Sequence, residues 1–566
     1  MKHLPAALLS LLAGAITLSA QGRRVPVIPV EFSDCRFSDT QSGIAAKIST
    51  AEDYFNSQLP GYGPFEFMVL PTVKLRYQMS YYGANSTSVK DLHIDEAVRT
   101  ACSSSGVDFS VYDSDGDGFV DNLCLVTAGA SESAGGGVTS IWPAQAKLSE
   151  RGSNPLTIGN VRIDSFSVCP EASPPSVFCH EYAHSLGLQD MYDTDGYLSG
   201  GLFKGLWGLS VMDNADVLPC LNAIELEQLG AGTALTVQEG HYTLRPVSSR
   251  KEYLRLETDN PGEYFLLECR DNESWDSCLK GSGLIIYHVD RSLGTSWYSD
   301  LYKRNLTAVE RWELNQVNCR PEHPCARVIE ATGGTAQGDM VFFPQPGHDC
   351  FASETDPTFR YWSDATSPLA ICNIAREQDG SVGFDLVTPI GELQCIPFQD
   401  AALISWEVSE AIDVQSCTLL VQSKANPSLR FSNDIPARAS GVYSCTVGGL
   451  KPQDEYVATV RVLGEGGANF SATLEFSTKM MRDTRPFIYL NSLVRNPDGS
   501  FAPGGRLPLM LYNAAEVIAV SWTFDGKDIQ PGDDGLWEIP GSGTLRAELE
   551  MQDGSREIIS KTLIVK

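Results

Sequence analysis

The chain is best interpreted from the stretch Ser176-Val-Phe-Cys-His-Glu-Tyr-Ala-His-Ser-Leu-Gly-Leu-Gln-Asp190. It follows the pattern H-E-x-x-H-x-x-G-x-x-D. His180 and His184 are four residues apart, so on a helix their side chains lie on one face, about one turn from each other. Two imidazoles at that spacing can bind one zinc ion.

The residues beside the two histidines complete a catalytic arrangement. Glu181 follows the first histidine and can reach a water molecule on the metal. Gly187 can adopt a left-handed conformation that ends the helix. The chain can then turn back and bring Asp190 to the same ion as a third ligand. Three protein ligands and one water are typical of a catalytic zinc site rather than a closed structural one.

This motif is specific because histidine is scarce, with eight in 566 residues. The alternative is a helix whose histidines and glutamate are ordinary surface or core residues, and the added Gly187 and Asp190 argue against it. Ser173 is predicted to cap the helix, and the two prolines that follow it suit the first turn. We therefore expect a helix from about 174 to 186.

Length, charge and the first residues exclude several classes of protein. At 566 residues, three or four domains are expected. The net charge of −29 argues against binding to nucleic acid and to anionic membrane surfaces. Residues 1–20 have the pattern of a secretory signal peptide; a transmembrane anchor, the alternative, needs a longer apolar run. We expect a protein without a membrane span that is secreted or at the cell surface, with the periplasm as second choice.

The fifteen cysteines all follow the predicted cleavage site, and an exported protein can form disulfides with them. The odd number leaves at least one thiol unpaired within the chain. Cys179, next to the first histidine, is expected to be a small buried apolar residue rather than a ligand or a latency switch. The candidate pairs are Cys269 with Cys278, Cys319 with Cys325, Cys350 with Cys372, and Cys417 with Cys445.

A second metal motif is Asp113-Ser-Asp-Gly-Asp-Gly-Phe-Val-Asp121. It has acidic residues at positions 1, 3, 5 and 9 of the calcium-loop pattern, glycine at position 6 and a backbone carbonyl for position 7. Position 12 is Cys124 rather than a bidentate glutamate, and the next residues indicate a strand, so an EF-hand pair is excluded. We expect a structural calcium ion; the alternative is a solvated acidic turn. The candidate ligands are Asp113, Asp115, Asp117, Phe119 and Asp121.

Around these motifs the sequence predicts mixed secondary structure. Strands are expected at 25–32, 65–70 and 73–77, an edge segment at 161–168, and helices at 44–59, 89–103 and 219–229. Met212 is predicted to lie beneath the zinc as an apolar floor for the histidines. This role rests on its position after the zinc motif, because a single methionine is more often plain core.

The block from about 25 to 229 resembles the catalytic domain of immune-inhibitor-A-type metallopeptidases (peptidase family M-six), within the metzincin-like zincins. The resemblance continues through 261–270 and 281–290 and covers roughly residues 25–389. The segments that carry it in the catalytic block are Val30-Glu-Phe-Ser-Asp34, Tyr54-Phe55, Tyr81-Tyr-Gly-Ala-Asn85, and residues 108–122, 180–192 and 207–213.

This resemblance implies a secreted zinc endopeptidase that acts on proteins or peptides. It implies that His180 and His184 are zinc ligands and that Glu181 is the general base. The third ligand differs among related zincins, so Glu225, on a later predicted helix, is the alternative to Asp190.

The expected fold class is an α+β zincin (metzincin-like) catalytic domain followed by a β-rich domain and two C-terminal β-sandwiches. Ala402-Leu-Ile-Ser-Trp406 fits the core strand of a fibronectin type III module, and residues 450–456 fit its tyrosine corner. Such modules bind surfaces or matrix weakly, or act as spacers. The predicted boundaries are 1–20 for the signal peptide, 21–234 for the catalytic domain, 235–389 for the β-rich domain, 390–479 for the fibronectin type III-like module and 480–566 for an Ig-like sandwich.

Two other functions agree with parts of the sequence. One is an exported adhesin whose protease-like domain is inert and whose sandwiches bind a partner. The intact Glu181 argues against it, because only catalysis requires that glutamate. The other is a processing enzyme with one cognate target, which binds zinc without general proteolysis.

Overall fold

Mixed α and β structure runs through the described part of the chain, which is residues 22–566 except 87–88, 197, 204, 214–215, 295, 333–339, 437–440, 465–466, 481–484, 491–494, 497–498 and 534 of the computed structural model. The predicted signal peptide, residues 1–20, lies outside the described residues. Two compact units are present. The first contains residues up to Val237, Thr243–Phe343 and Arg376–Gly383; the second contains Gln238–Tyr242, Pro344–Ala375 and Phe384–Lys566.

The helices of the described residues are α1 (Gln41–Gln58), α2 (Met79–Tyr82), α3 (Ile94–Ser105), α4 (Pro175–Ser185), α5 (Ala223–Leu229) and α6 (Ala308–Glu313), with 3-10 turns at Pro60–Tyr62, Phe109–Tyr112 and Ser274–Cys278. The strands up to residue 328 are β1 (Arg23–Glu31), β2 (Phe65–Val69), β3 (Val73–Lys74), β4 (Leu123–Thr127), β5 (Ala144–Lys147), β6 (Leu156–Ile158), β7 (Val161–Ile163), β8 (Ser165–Pro170), β9 (Thr233–Leu235), β10 (Gly240–Leu244), β11 (Glu252–Glu257), β12 (Glu263–Arg270), β13 (Gly283–Asp290), β14 (Ser296–Ser299), β15 (Arg304–Thr307) and β16 (Ala326–Val328).

The later strands are β17 (Ala370–Arg376), β18 (Val382–Val387), β19 (Gln394–Pro397), β20 (Ala401–Val408), β21 (Val414–Ser423), β22 (Arg430–Ile435), β23 (Gly441–Gly448), β24 (Glu455–Gly464), β25 (Asn469–Ser477), β26 (Phe487–Tyr489), β27 (Arg506–Pro508), β28 (Met510–Tyr512), β29 (Val517–Phe524), β30 (Lys527–Ile529), β31 (Leu536–Glu538), β32 (Gly543–Met551) and β33 (Arg556–Leu563).

The first unit is built on a sheet of order β2–β1–β4–β8–β5, with β3 also paired to β1. Its strands run parallel except β5, which is antiparallel to β8 at one end of the sheet. Both faces of β1 are covered, which explains its continuous apolar run. Val25 and Val27 pack in the cluster that contains α1 and α4 residues, and Ile28 and Val30 pack in the cluster that contains α3 residues.

A second sheet of the first unit has the order β16–β13–β12–β11–β9. Leu266 on β12 and Tyr287 on β13 belong to the same apolar cluster as Tyr182 on α4 and Met212. Residues 243–343 therefore complete the core around the helix that carries the metal motif. The predicted boundary between 234 and 235 falls inside this compact unit.

The second unit consists mainly of β-sheets, as the sequence predicts. Sheets β19–β20–β23 and β22–β21–β24–β25 enclose a core that contains Trp406. The hydroxyl of Tyr456 accepts a hydrogen bond from the Lys451 backbone N–H at 2.8 Å, which is the contact expected of a tyrosine corner. The last strands form sheets β26–β28, β27–β31 and β30–β29–β32–β33 around a core that contains Trp522 and Trp537.

Several helix starts differ from the prediction; the helix expected from residue 44 begins at Gln41, and the helix expected from residue 219 begins at Ala223. The N-cap of α4 is Pro174 rather than Ser173, and it makes no side-chain capping bond. The helix expected from residue 89 begins only at Ile94. Asp91 explains the later start, because its φ of +49° is left-handed and cannot continue an α-helix.

One of the four candidate disulfides is present, between Cys350 and Cys372. The other three predicted pairs are wrong, because closeness in sequence does not fix the distance or direction of the side chains. Cys179 is fully buried, as predicted, and burial raises the pKa of its thiol. The cysteines of the absent pairs are Cys269, Cys278, Cys319, Cys325, Cys417 and Cys445.

No helix among the described residues is both long and apolar enough to cross a membrane.

A buried ionic network ties β12 to the segment before α5. The fully buried Arg270 lies 2.7 Å from carboxylate oxygens of both Glu268 and Asp276. Its guanidinium also donates to the carbonyls of Leu209 at 3.4 Å and Cys220 at 3.1 Å. The network therefore fixes the backbone on both sides of Met212.

Replacing Arg270 by leucine should destabilise the first unit by about 3–5 kcal/mol, because two buried carboxylates lose their cation. Urea unfolding followed by tryptophan fluorescence measures the loss. Arg24→Ala is the matched control, since its ion pair with Glu66 is exposed and is worth less than about 1 kcal/mol. Equal effects of the two substitutions would contradict a structural role for the network.

Candidate metal centre

Helix α4 directs the side chains of His180 and His184 toward the same buried space. Their ring centroids are 4.8 Å apart and the ring planes are nearly perpendicular, at 87°. His180 Nδ1 lies 2.8 Å from the carbonyl oxygen of Val211, and His184 Nδ1 lies 2.8 Å from that of Leu188. A carbonyl oxygen only accepts, so each Nδ1 carries the proton and each Nε2 keeps a lone pair.

Asp190 reaches these two lone pairs because the chain reverses after α4. The reversal is made at Gly187, which has the left-handed φ of +100° that the sequence predicts. Asp190 Oδ1 lies 3.1 Å from His180 Nε2 and 3.3 Å from His184 Nε2. This oxygen is buried and accepts no hydrogen bond from any described group.

The three converging atoms fit a cation. Two imidazole nitrogens and one carboxylate oxygen, all with lone pairs, repel one another unless a positive charge lies between them. Burial lowers the pKa of His180, but the close carboxylates of Asp190 and Glu181 raise it overall to about 9, so this space favours positive charge. Burial raises the pKa of Asp190, and the two histidines outweigh it and lower that pKa. A two-nitrogen, one-oxygen donor set is one that zinc accepts.

Glu181 completes the group, with ligand atoms of His180, Glu181 and His184 within 4.8 Å of one another. Burial raises the pKa of Glu181, and the two histidines lower it. Its carboxylate accepts a hydrogen bond from the backbone N–H of Gln145 on the terminal strand β5. The four residues predicted from the motif are therefore brought together.

Met212 is fully buried in the same apolar cluster as α4. Its carbonyl accepts a hydrogen bond from the backbone N–H of Met191 at 2.8 Å, and its neighbour Val211 holds His180. The segment thus supports the centre through its backbone, and the predicted role of the Met212 side chain as a floor stays a prediction.

Glu225, the alternative third ligand, lies elsewhere. It is the third residue of α5, and its Oε2 accepts from the backbone N–H of Asn222 at 2.8 Å in a capping box. Its Oε1 accepts from the hydroxyl of Ser210 at 2.5 Å. Burial raises the pKa of Glu225 to about 7. Both carboxylate oxygens of Glu225 accept hydrogen bonds, one in the helix cap and one from the loop before α5.

The acidic loop lies between the 3-10 turn at Phe109–Tyr112 and β4, with Gly118 at a φ of +86°. Carboxylate oxygens of Asp113, Asp115 and Asp121 lie within 4.8 Å of one another. Asp121 Oδ2 is buried and accepts no hydrogen bond from a described group, so this donor set fits calcium.

Asp117 is not part of this group of carboxylates, and the Phe119 backbone carbonyl as a calcium ligand stays a prediction. Asp117 directs Oδ1 to the backbone N–H of Phe119 at 2.7 Å. The ring of Phe119 lies 3.8 Å below the guanidinium of Arg162.

Two residues near the centre were not assigned from the sequence. The ring of Tyr192 lies beside that of His180, with centroids 6.3 Å apart, and its side chain hydrogen-bonds to Asp190. Asn315 contacts Asp190 from 125 residues further along the chain. Tyr192 could have been found from its place two residues after the motif, whereas nothing local marks Asn315.

The motif and its buried donor set are those expected of a metallopeptidase centre. Residues 29–216 match the family model of the immune inhibitor A peptidase M6 catalytic domain, which confirms the resemblance for this segment. Immune inhibitor A of Bacillus thuringiensis subsp. alesti is 28% identical, in an alignment that covers 28% of this chain and 29% of the relative. Pre-pro-metalloprotease PrtV of Vibrio cholerae serotype O1 (strain M66-2) is 30% identical, with 23% of this chain and 17% of the relative covered.

These matches span less than a third of the length of either relative. Together with the family match, the relatives' names support a metallopeptidase. Among solved structures, the FN5 domain of Drosophila Lar is 17% identical, with 16% of this chain and 94% of that chain covered and a TM-score of 0.13. A likeness at that TM-score supports no conclusion about this chain.

Replacing Glu225 by glutamine should lower the free energy of unfolding by about 1–2 kcal/mol, because an amide nitrogen cannot accept one of the two hydrogen bonds that the Glu225 oxygens accept. The metal content per chain, measured by elemental analysis, should not change. Asp190→Ala is the comparison and should reduce that content. Loss of metal from the Glu225 variant would contradict its assignment as a cap.

Proposed function

We propose that this chain is an exported zinc-dependent endopeptidase with a zincin-type catalytic domain that hydrolyses peptide bonds of proteins. The observation that carries the proposal is the buried convergence of His180 Nε2, His184 Nε2 and Asp190 Oδ1. The match of residues 29–216 to a peptidase family supports it. The acidic net charge of −29 agrees with an exported protein.

The three converging atoms would hold the zinc ion, which supplies Lewis-acid polarisation of the scissile carbonyl and lowers the pKa of water to about 7. Glu181 is the general base. Its carboxylate takes a proton from the attacking water and later passes it to the nitrogen of the leaving amine. Burial raises the pKa of Glu181, which suits a group that must both accept and return a proton.

The substrate backbone would add to β5 as a further strand. Strand β5 is the last strand of its described sheet. The backbone N–H of Gln145 on this strand donates to Glu181, so a peptide paired along β5 passes beside the general base. Pairing of this kind binds an extended protein substrate through its backbone and does not require particular side chains in the substrate.

We also propose a structural calcium ion in the loop that contains Asp113, Asp115 and Asp121. Its role would be to hold the start of β4, the central strand next to β8. The fibronectin type III-like and final β modules would serve attachment to surfaces or matrix.

Replacing Glu181 by glutamine should reduce casein cleavage by about 10²–10⁴-fold, because the amide cannot accept the proton of the attacking water. Zinc content should remain as in the wild type. Casein hydrolysis and elemental analysis of the same preparations measure both. Glu257→Gln, the same change at an exposed position, is the control and should cleave normally.

Undiminished cleavage by the Glu181 variant would contradict the mechanism. A wild-type chain that binds zinc but cleaves one protein and not casein would favour the processing enzyme with a single target.

Removal of calcium by a chelator should lower the melting temperature of the wild type. At a concentration about 100 times Kd, a bound ion stabilises by about 2.7 kcal/mol. Asp121→Asn should remove most of this calcium dependence, because it neutralises the buried carboxylate of the loop. Asp53→Asn, an exposed change on α1, should keep it. Equal calcium dependence in the Asp121 variant would contradict the site.

A further inference from the structure

Asn315 forms hydrogen bonds with both the side chain and the backbone of Asp190. Its Nδ2 donates to Asp190 Oδ2 at 2.7 Å, and its Oδ1 accepts from the Asp190 backbone N–H at 2.8 Å. The backbone N–H can only donate, so the amide oxygen must face it and the amide nitrogen must face the carboxylate. The two hydrogen bonds therefore fix the orientation of the Asn315 side-chain amide.

The segment around Asn315 is itself held by hydrogen bonds from α6. Asn315 has a φ of +53°, a left-handed conformation that asparagine tolerates better than most residues. Arg311, buried at the end of α6, donates to the carbonyls of Gln316 at 3.1 Å and Val317 at 3.0 Å. These bonds hold the chain that follows Asn315.

The same segment is fastened to the chain that follows Asp190. Thr194 Oγ1 donates to the carbonyl of Asn315 at 2.7 Å and accepts from Gln316 Nε2 at 2.9 Å. Asn318 Nδ2 donates to the carbonyl of Met191 at 2.7 Å. Residues 315–318 therefore form a strap, defined by these four positions, across residues 190–194.

Asn315, at the start of the strap, determines which carboxylate oxygen of Asp190 faces the histidines. Because Oδ2 is occupied by Asn315, Oδ1 alone points to His180 and His184, where it accepts no hydrogen bond from a described group. Without Asn315, Asp190 Oδ2 loses this donor, and the carboxylate is less restricted in which oxygen it presents to the histidines.

We propose that Asn315 is a positioning residue that fixes Asp190 as a one-oxygen ligand and thereby sets the affinity of the centre for zinc. The inference rests on the proposed function, since it assigns a role at the same site. It extends the metal-binding apparatus to a segment outside residues 29–216, the part that matches the peptidase family.

The test uses the full chain with Asn315→Gly, which removes the amide and keeps the left-handed backbone accessible. Asn315→Asp is the isosteric second variant, and it places a carboxylate oxygen against Asp190 Oδ2. Zinc Kd is measured by competition with a chromophoric chelator, and the visible spectrum of the cobalt(II)-loaded protein reports ligand geometry. Asn318→Ala is the matched control, because it cuts a strap contact that does not touch a ligand.

Both Asn315 variants should bind zinc about 10–100-fold more weakly and show a changed cobalt spectrum. The Asn318 variant should lose thermal stability and keep the wild-type Kd and spectrum. If Asn315→Gly fails to fold, the isosteric aspartate variant gives the same readouts.

Wild-type Kd and spectrum in a folded Asn315 variant would overturn the inference, as would an equal loss of zinc affinity in the Asn318 variant. If the wild type binds zinc and cleaves casein, either result contradicts only the role of Asn315 and leaves the proposed function standing. A wild type that binds no zinc contradicts the proposed function together with the inference that rests on it.

Discussion

The first unit depends on an electrostatic constraint: two imidazole nitrogens and a carboxylate oxygen meet in a buried space at 3.1 and 3.3 Å. Such a meeting is unfavourable unless a cation joins them. The backbone directs both imidazoles, since the carbonyls of Val211 and Leu188 take their Nδ1 protons. The surrounding fold can be understood as the structure that holds these atoms in place.

Holding the centre requires segments that are far apart in sequence. Helix α4 supplies the histidines, the segment around Met212 supplies a carbonyl, and the buried Arg270 network on β12 fixes that segment. Residues 315–318 fasten the loop that carries Asp190. This explains why one compact unit includes both 22–237 and 243–343. A boundary between these parts would expose an apolar core and a buried ionic network.

The parts of the site that local rules govern could be predicted from the sequence. The four-residue spacing put His180 and His184 on one face, and Gly187 marked the reversal that brings Asp190 to them. The contacts of Asn315 and Arg270 could not be predicted, because each depends on tertiary packing between distant residues. The same holds for the disulfides: of four pairs close in sequence, only Cys350–Cys372 is bonded. Glu225 looked like a ligand from its residue type, but its position at the third residue of α5 makes it a cap.

The most direct test of the central claim is the zinc X-ray absorption spectrum of the purified full-length chain. We predict stoichiometric zinc with a first shell of only nitrogen and oxygen atoms at about 2.0–2.2 Å, including two imidazoles. A sulfur shell at about 2.3 Å, or a chain that retains no zinc, would contradict it.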